Sequence, residues 1–212
     1  TWAQQGAGTI FNASSLPDFM YAWDANSAVA VGDPNGPGTT FYEIYTTTDG
    51  GTPWTRTPTA NIPAKLNATE YAIVNDYTVK GNTIWFGTNG GRCYKSVDKG
   101  LNWTVAVVSA TNTDVVADLA FVSATQGIAV VSDAGGTTLT TYKTTDGGTT
   151  WALFTATSGT FYNTGDLEVI PNSATFVSSG AAPTIALGTS YSVDHGATWV
   201  TIDTAVQHTA LG

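Results

Sequence analysis

Positive charge is scarce in this chain: seven Lys and Arg stand against sixteen Asp and Glu, a formal net charge of −9 over 212 residues. Binding along a phosphate backbone is driven by Lys and Arg, so the deficit removes nucleic acid from the expected partners. Cys93 is the single cysteine. It has no partner for an internal disulfide, which argues against a disulfide-stapled module and leaves core packing as its expected role. No apolar run approaches the roughly eighteen residues of a membrane-spanning helix. No signal peptide is visible, as expected of a mature or excised segment. His195 and His208 lack Cys or His partners in a ligand spacing, so no metal site is assigned. The glycine-rich stretch 32–38 lacks the Lys-Ser/Thr of a phosphate loop, so nucleotide binding is unsupported and no cofactor is expected. Helical periodicity is missing as well.

What is present is a repeat. Ser/Thr, any residue, Asp, any residue, Gly, any two residues, Trp returns at 47–54, 96–103, 144–151 and 192–199, with Asp-to-Asp steps of 49, 48 and 48. A fixed period near that length means one supersecondary unit repeated. Asp, Gly and a hydroxyl residue bunched together are turn chemistry. The Asp carboxylate accepts from backbone N–H groups two or three residues on, and Gly takes the positive-φ position. The Trp plugs the turn onto a neighbouring apolar layer. Asp49, Gly51 and Trp54, Asp98, Gly100 and Trp103, Asp146, Gly148 and Trp151, and Asp194, Gly196 and Trp199 are therefore assigned structural roles. A calcium loop gathers several oxygen ligands within about a dozen residues, whereas each copy here offers one carboxylate.

Around each turn the residues read as short strands. Apolar and β-branched stretches ending in Gly or Asp lie upstream at 28–33, 83–87, 127–133 and 184–188, and a further apolar run precedes each at 19–23, 71–74, 119–122 and 167–170. Counting outward gives four strands per repeat, A to D, with the pattern as the C–D turn. An all-β chain with four strands in every 40–50 residues or so describes β-propeller blades. The expected blades are 16–57, 70–107, 117–155 and 166–203, with residues 1–5 the last strand of a preceding blade, because Thr1-Trp2 looks like the end of another copy. An extra strand and no fifth A strand suggest an arc of four blades within a longer chain, a ring of about six to eight, with a four-bladed ring carrying an N-terminal extension as the alternative.

The eight-residue pattern resembles the Asp-box, or bacterial neuraminidase repeat, of sialidases, sortilin-type receptors, photosystem II assembly factors and secreted bacterial glycosidases. The glycine-rich stretches at 31–36 and 85–91 look further like secreted Bacteroidetes repeat proteins exported by the type IX route, and Asp203-Thr204-Ala205 resembles their O-glycosylation acceptor. The resemblance implies a secreted or cell-surface protein whose boxes lie opposite the ligand face. A sialidase of this resemblance grips its substrate carboxylate with three arginines. This chain has only Arg56 and Arg92 and lacks the Arg-Ile-Pro signature, so sialidase activity is not expected within it.

Aligned by repeat, Asp18, Asn75 or Asp76, Asp118 and Asp166 fall near the starts of the A strands. Three readings fit them: caps on strand ends, a cation or ligand ring at the channel mouth, or catalytic carboxylates of a glycosidase. Trp85 suits packing between blades, and Trp23 is a candidate sugar-stacking residue. No catalytic residue is assigned. The expected function is a secreted or surface non-catalytic binding module for carbohydrate or protein, using a loop face made of the B–C loops at 33–40, 88–91 and 133–139 and the D–A loops. The alternatives are a fragment of a secreted glycoside hydrolase, with Asp118 and Asp166 first to mutate, and a structural component or secretion cargo.

Overall fold

The computed structural model describes residues 10–11, 15–33, 40–158, 167–169, 175–181 and 187–203. Trp2, Asp166, Thr204, Ala205 and His208 lie outside them. Among the described residues, sixteen strands form four separate antiparallel sheets of four, each in chain order. The first holds β1 (Leu16–Ala22), β2 (Ala28–Asp33), β3 (Glu43–Thr47) and β4 (Thr55–Arg56). The second holds β5 (Ala72–Lys80), β6 (Thr83–Thr88), β7 (Arg92–Ser96) and β8 (Thr104–Val107). The third holds β9 (Val115–Phe121), β10 (Gly127–Ser132), β11 (Leu139–Thr144) and β12 (Ala152–Leu153). The fourth holds β13 (Leu167–Val169), β14 (Phe176–Ala181), β15 (Leu187–Ser192) and β16 (Val200–Asp203).

Every third strand stops on the Ser or Thr that opens the turn pattern, and every fourth starts just after its Trp. One expectation is corrected. The second strand of the last blade is Phe176–Ala181, and Leu187 and Gly188 open the third strand instead. The stretch at 184–188 stands too near its turn to leave room for a third strand and the loop before it.

The sheets stack face to face, so their middle strands are buried on both sides and read as apolar runs rather than alternating ones. Alternation instead sorts side chains between neighbours. Ile84 and Phe86 join Val29, Val31 and Ile44 in the layer between blades one and two, while Trp85 joins Val116, Leu119 and Phe121 in the next. Ile128 and Val130 then pack with Leu167, Phe176 and Trp199 between blades three and four. The core is thus three layers, one per blade interface. Cys93 is buried in the second, in the packing role expected of it. The inner strands touch in sequence, β1 on β5, β5 on β9 and β9 on β13.

Candidate functional site

The turns hold the site in place. In each one the Ser or Thr hydroxyl donates to the Asp and accepts the glycine N–H. For the second copy, Ser96 Oγ donates to Asp98 Oδ1 at 2.9 Å and accepts from Gly100 N at 2.8 Å. Thr47, Thr144 and Ser192 repeat both bonds. The hydroxyl is the centre of the motif, a role the turn chemistry read from sequence had assigned to Asp alone. The carboxylate accepts from N–H groups three or four residues on, rather than two or three, as at Thr52, Asn102 and Thr198. Bonds from the Thr150 and Thr198 hydroxyls and amides pull Asp146 and Asp194 down to about 2. Gly51, Gly100, Gly148 and Gly196 all have positive φ. The Trp103 and Trp199 indoles donate to the Gly100 and Gly196 carbonyls, both at 2.9 Å. Trp54 and Trp151 are half-buried.

These turns fasten blade to blade. A Cβ on Gly100 would lie 2.8 Å from Val29 Cγ2 of blade one, and one on Gly196 would lie 2.6 Å from Ile128 Cδ1 of blade three. Trp85 Nε1 donates to the Gly147 carbonyl at 2.9 Å, and its ring stacks on Phe121 with centroids 3.9 Å apart. That is the inter-blade packing expected of Trp85. Trp23 is half-buried and tied at its indole to the Gly81 carbonyl (2.7 Å), with Lys99 Nζ over its ring. It too works as a staple between the first two blades.

The candidate carboxylates lie at β-bulges on inner strands. Asp18 sits in the irregularity of β1 between Pro17 and Phe19. Asp76 closes the irregularity of β5 between Ala72 and Tyr77, and Asp118 flanks that of β9 opposite Val130 and Val131. A bulge turns a side chain out of the pleat, and here the turn is sideways into the blade interfaces. Leu167 N donates to Asp118 Oδ2 at 2.6 Å, joining blades three and four. Asp33, at the end of β2, accepts from Ala72 N at 2.9 Å, joining blades one and two. Asp76 is 6% exposed and lies against Gly87 and Val116. Leu119 and Gly87 turn N–H groups toward it from beyond hydrogen-bonding geometry. Burial, then the charge of Asp118, holds its acid form far above the usual range. Burial also lifts Asp18 to about 8, helped by Asp33, and Asp33 itself to about 6.

The two arginines do not converge. Arg56 is exposed on the outer strand β4. Arg92 is buried and grips Glu70 with both Nε (2.8 Å) and Nη2, while Nη2 also donates to Tyr94 Oη and the Ala64 carbonyl. Glu70 further accepts from Thr88 Oγ1 and Leu66 N. This network, unforeseen from sequence, pins residues 62–70 onto blade two. Its one sequence signal is that a chain with two arginines places one beside Gly90-Gly91, where a strand begins.

With these charges spent internally, the open concavity is the wall of inner strands. A cavity of about 700 Å³ lies over β5, β9 and β13, with Tyr21 of β1 at its side. Val74, Asn75, Tyr77, Lys80, Asp118 and Glu168 are among its lining. No group of three or more His, Cys, Asp or Glu suited to a metal ion occurs among the described residues. No helix among them is long and apolar enough to cross a membrane.

Four-stranded antiparallel sheets that pack face to face in chain order, with their first strands lining a common concavity, define a β-propeller. Neither a family profile nor a curated protein sequence matches the chain. Among solved structures, YCF48 bound to D1 peptide is similar over 92% of this chain and 55% of its own, at 15% identity and a TM-score of 0.53. Trypanosoma rangeli sialidase is similar over 88% of this chain and 37% of its own, at 17% identity and a TM-score of 0.51. YCF48 from Cyanidioschyzon merolae is similar over 92% of this chain and 61% of its own, at 14% identity and a TM-score of 0.49. The likeness is one of fold, and the chain spans about half the length of the YCF48 structure bound to D1 peptide.

Proposed function

We propose that this chain is a non-catalytic Asp-box propeller segment, secreted or displayed at a cell surface, that binds a partner on its concave inner wall. One observation carries the reading: the cavity of about 700 Å³ is open, while Asp118 on its lining latches Leu167 N, and Asp76 is buried against Gly87 with its acid form favoured by that burial. A glycosidase requires two carboxylates facing across a cleft, whereas Asp118 is engaged by Leu167 N and Asp76 is buried against Gly87. A protein ligand is the favoured partner class over carbohydrate. The solved YCF48 of like fold is itself bound to a peptide. Low charge and abundant Thr, Ser and Gly support a place outside the cell. The share of the similar chains left uncovered supports further blades completing a larger ring.

The test is to screen the longest available form of the protein for retention on peptide and glycan arrays and for hydrolysis of a polysaccharide panel. Retention without turnover is expected. Hydrolysis abolished by Asp118→Asn would overturn the reading in favour of a glycosidase.

A further inference from the structure

The inner strand of blade two departs from the others. In β5, Ala72 pairs with Thr88 and Tyr77 with Phe86, so residues 73–76 stand outside the register opposite Gly87 alone. The irregularities of β1 and β9 each skip a single residue. This longer bulge pushes into the cavity. Val74 on it is 64% exposed, an unusual state for a β-branched apolar side chain on an inner strand. Asn75 beside it has φ 61, a left-handed backbone that a residue other than glycine holds only at a cost. Its side chain is exposed.

We propose that residues 73–76 form the ligand-reading element of the concave wall, and that the ligand is an extended peptide carrying an apolar residue beside a basic one. The inference rests on the binding-module reading above. Val74 and the half-buried Ile73 offer an apolar seat for one side chain. The Asn75 amide presents a donor and an acceptor, the complement of a peptide backbone. Glu168, exposed on β13, and Asp118 on β9 outweigh Lys80 along the lining, so the wall favours a cation. A sugar would look for an open aromatic face. Here Tyr77 stacks on Phe19 with centroids 4.7 Å apart, and Tyr21 meets Tyr77 edge-on, which makes the pair a side wall.

The experiment uses an array of ten-residue peptides with Leu flanked by Lys, Leu flanked by Glu, or Ser flanked by Lys, beside a glycan array. The proteins are the parent chain, Val74→Ser, Asn75→Gly, and Val107→Ser as an exposed control on the outer strand β8. Both test variants keep the fold within reach, since Val74 is exposed and glycine accepts the φ of Asn75; circular dichroism verifies it. Retention of the Lys-Leu-Lys peptides is expected, weakened about tenfold by Val74→Ser and about fivefold by Asn75→Gly, and unchanged by Val107→Ser. Peptide retention indifferent to both variants would overturn this inference and leave the binding module standing, as would retention of glycans alone. Equal retention of the Glu-flanked peptides would overturn the charge preference. Loss of all retention on both arrays in the parent chain would overturn the binding module itself.

Discussion

At the fifth position of each turn pattern the backbone is left-handed, and at Gly100 and Gly196 the space a side chain would occupy is already filled by the preceding blade. Gly100, with φ 91, has Val29 Cγ2 2.8 Å from where a Cβ would stand. Gly100→Ala combines left-handed strain with overpacking and should cost about 2–5 kcal/mol in chemical denaturation. Gly136 has a similar φ of 67 but nothing within 4 Å. Gly136→Ala should therefore cost only about 1–2 kcal/mol, and equal losses at the two sites would show that packing against Val29 is unimportant. Ser96→Ala removes a buried hydroxyl that serves Asp98 and the Gly100 N–H, and should cost about 1–3 kcal/mol by the same assay. Glycine and Asp were legible in the sequence as turn residues because their chemistry is local. The hydroxyl was visible but its role was not, since both of its bonds appear only once the turn has closed. The left-handed φ of Lys99 and His195, where the other copies place Gly50 and Gly147, was equally hidden by a slot that tolerates any residue.

Strands were legible wherever an apolar run stood at a fixed distance from a turn, and illegible where two runs competed. The second strand of blade four is such a case, since Phe176–Ala181 and the run at 184–188 look alike until the ladder chooses. The bulge in β5 could not be read at all, because it is a relation between β5 and β6 and belongs to neither sequence alone. The same holds for Glu70 and Arg92, which are far apart in the chain and meet only when residues 62–70 fold over the start of β7. A buried pair of this kind is sensitive to the loss of one member. Glu70→Gln should destabilise by about 3–5 kcal/mol, and limited proteolysis should then cut within 62–70 before any other part of blade two. Retention of the parent cleavage pattern would mean that the loop is held by other means.

For the molecule as a whole, two sets of carboxylates pull stability in opposite directions with pH. Asp18, Asp33 and Asp76 have folded-state values raised by burial, to about 8, about 6 and well above the usual range. The folded state holds their protons more tightly than the unfolded chain, so stability present in acid is lost as pH rises through those values. Asp146 and Asp194 are lowered to about 2. Their contribution is present above the ordinary carboxylate range and is lost as pH falls through the lowered values, though both lie near the surface, where solvent screening keeps it small. The thermal midpoint should accordingly rise from pH 8 to a maximum near about pH 4 and fall again below about pH 3. Asp76→Asn should flatten the alkaline limb, and a midpoint that climbs steadily from pH 5 to 8 would contradict the assignment. The four blades of the described residues were legible from four copies of one pattern, whereas the direction in which the inner carboxylates point was not, because only a bulge decides it.

Each joint is built from a glycine of one repeat and the apolar residues of the repeat before it, with Gly100 on Val29 and Gly196 on Ile128. A duplicated unit would bring both halves of the joint with it, a socket for the next repeat and a plug for the previous one. Such a chain lengthens by copying a unit, with no new surface to invent, and its ancestry is written in the near-constant spacing of its aspartates.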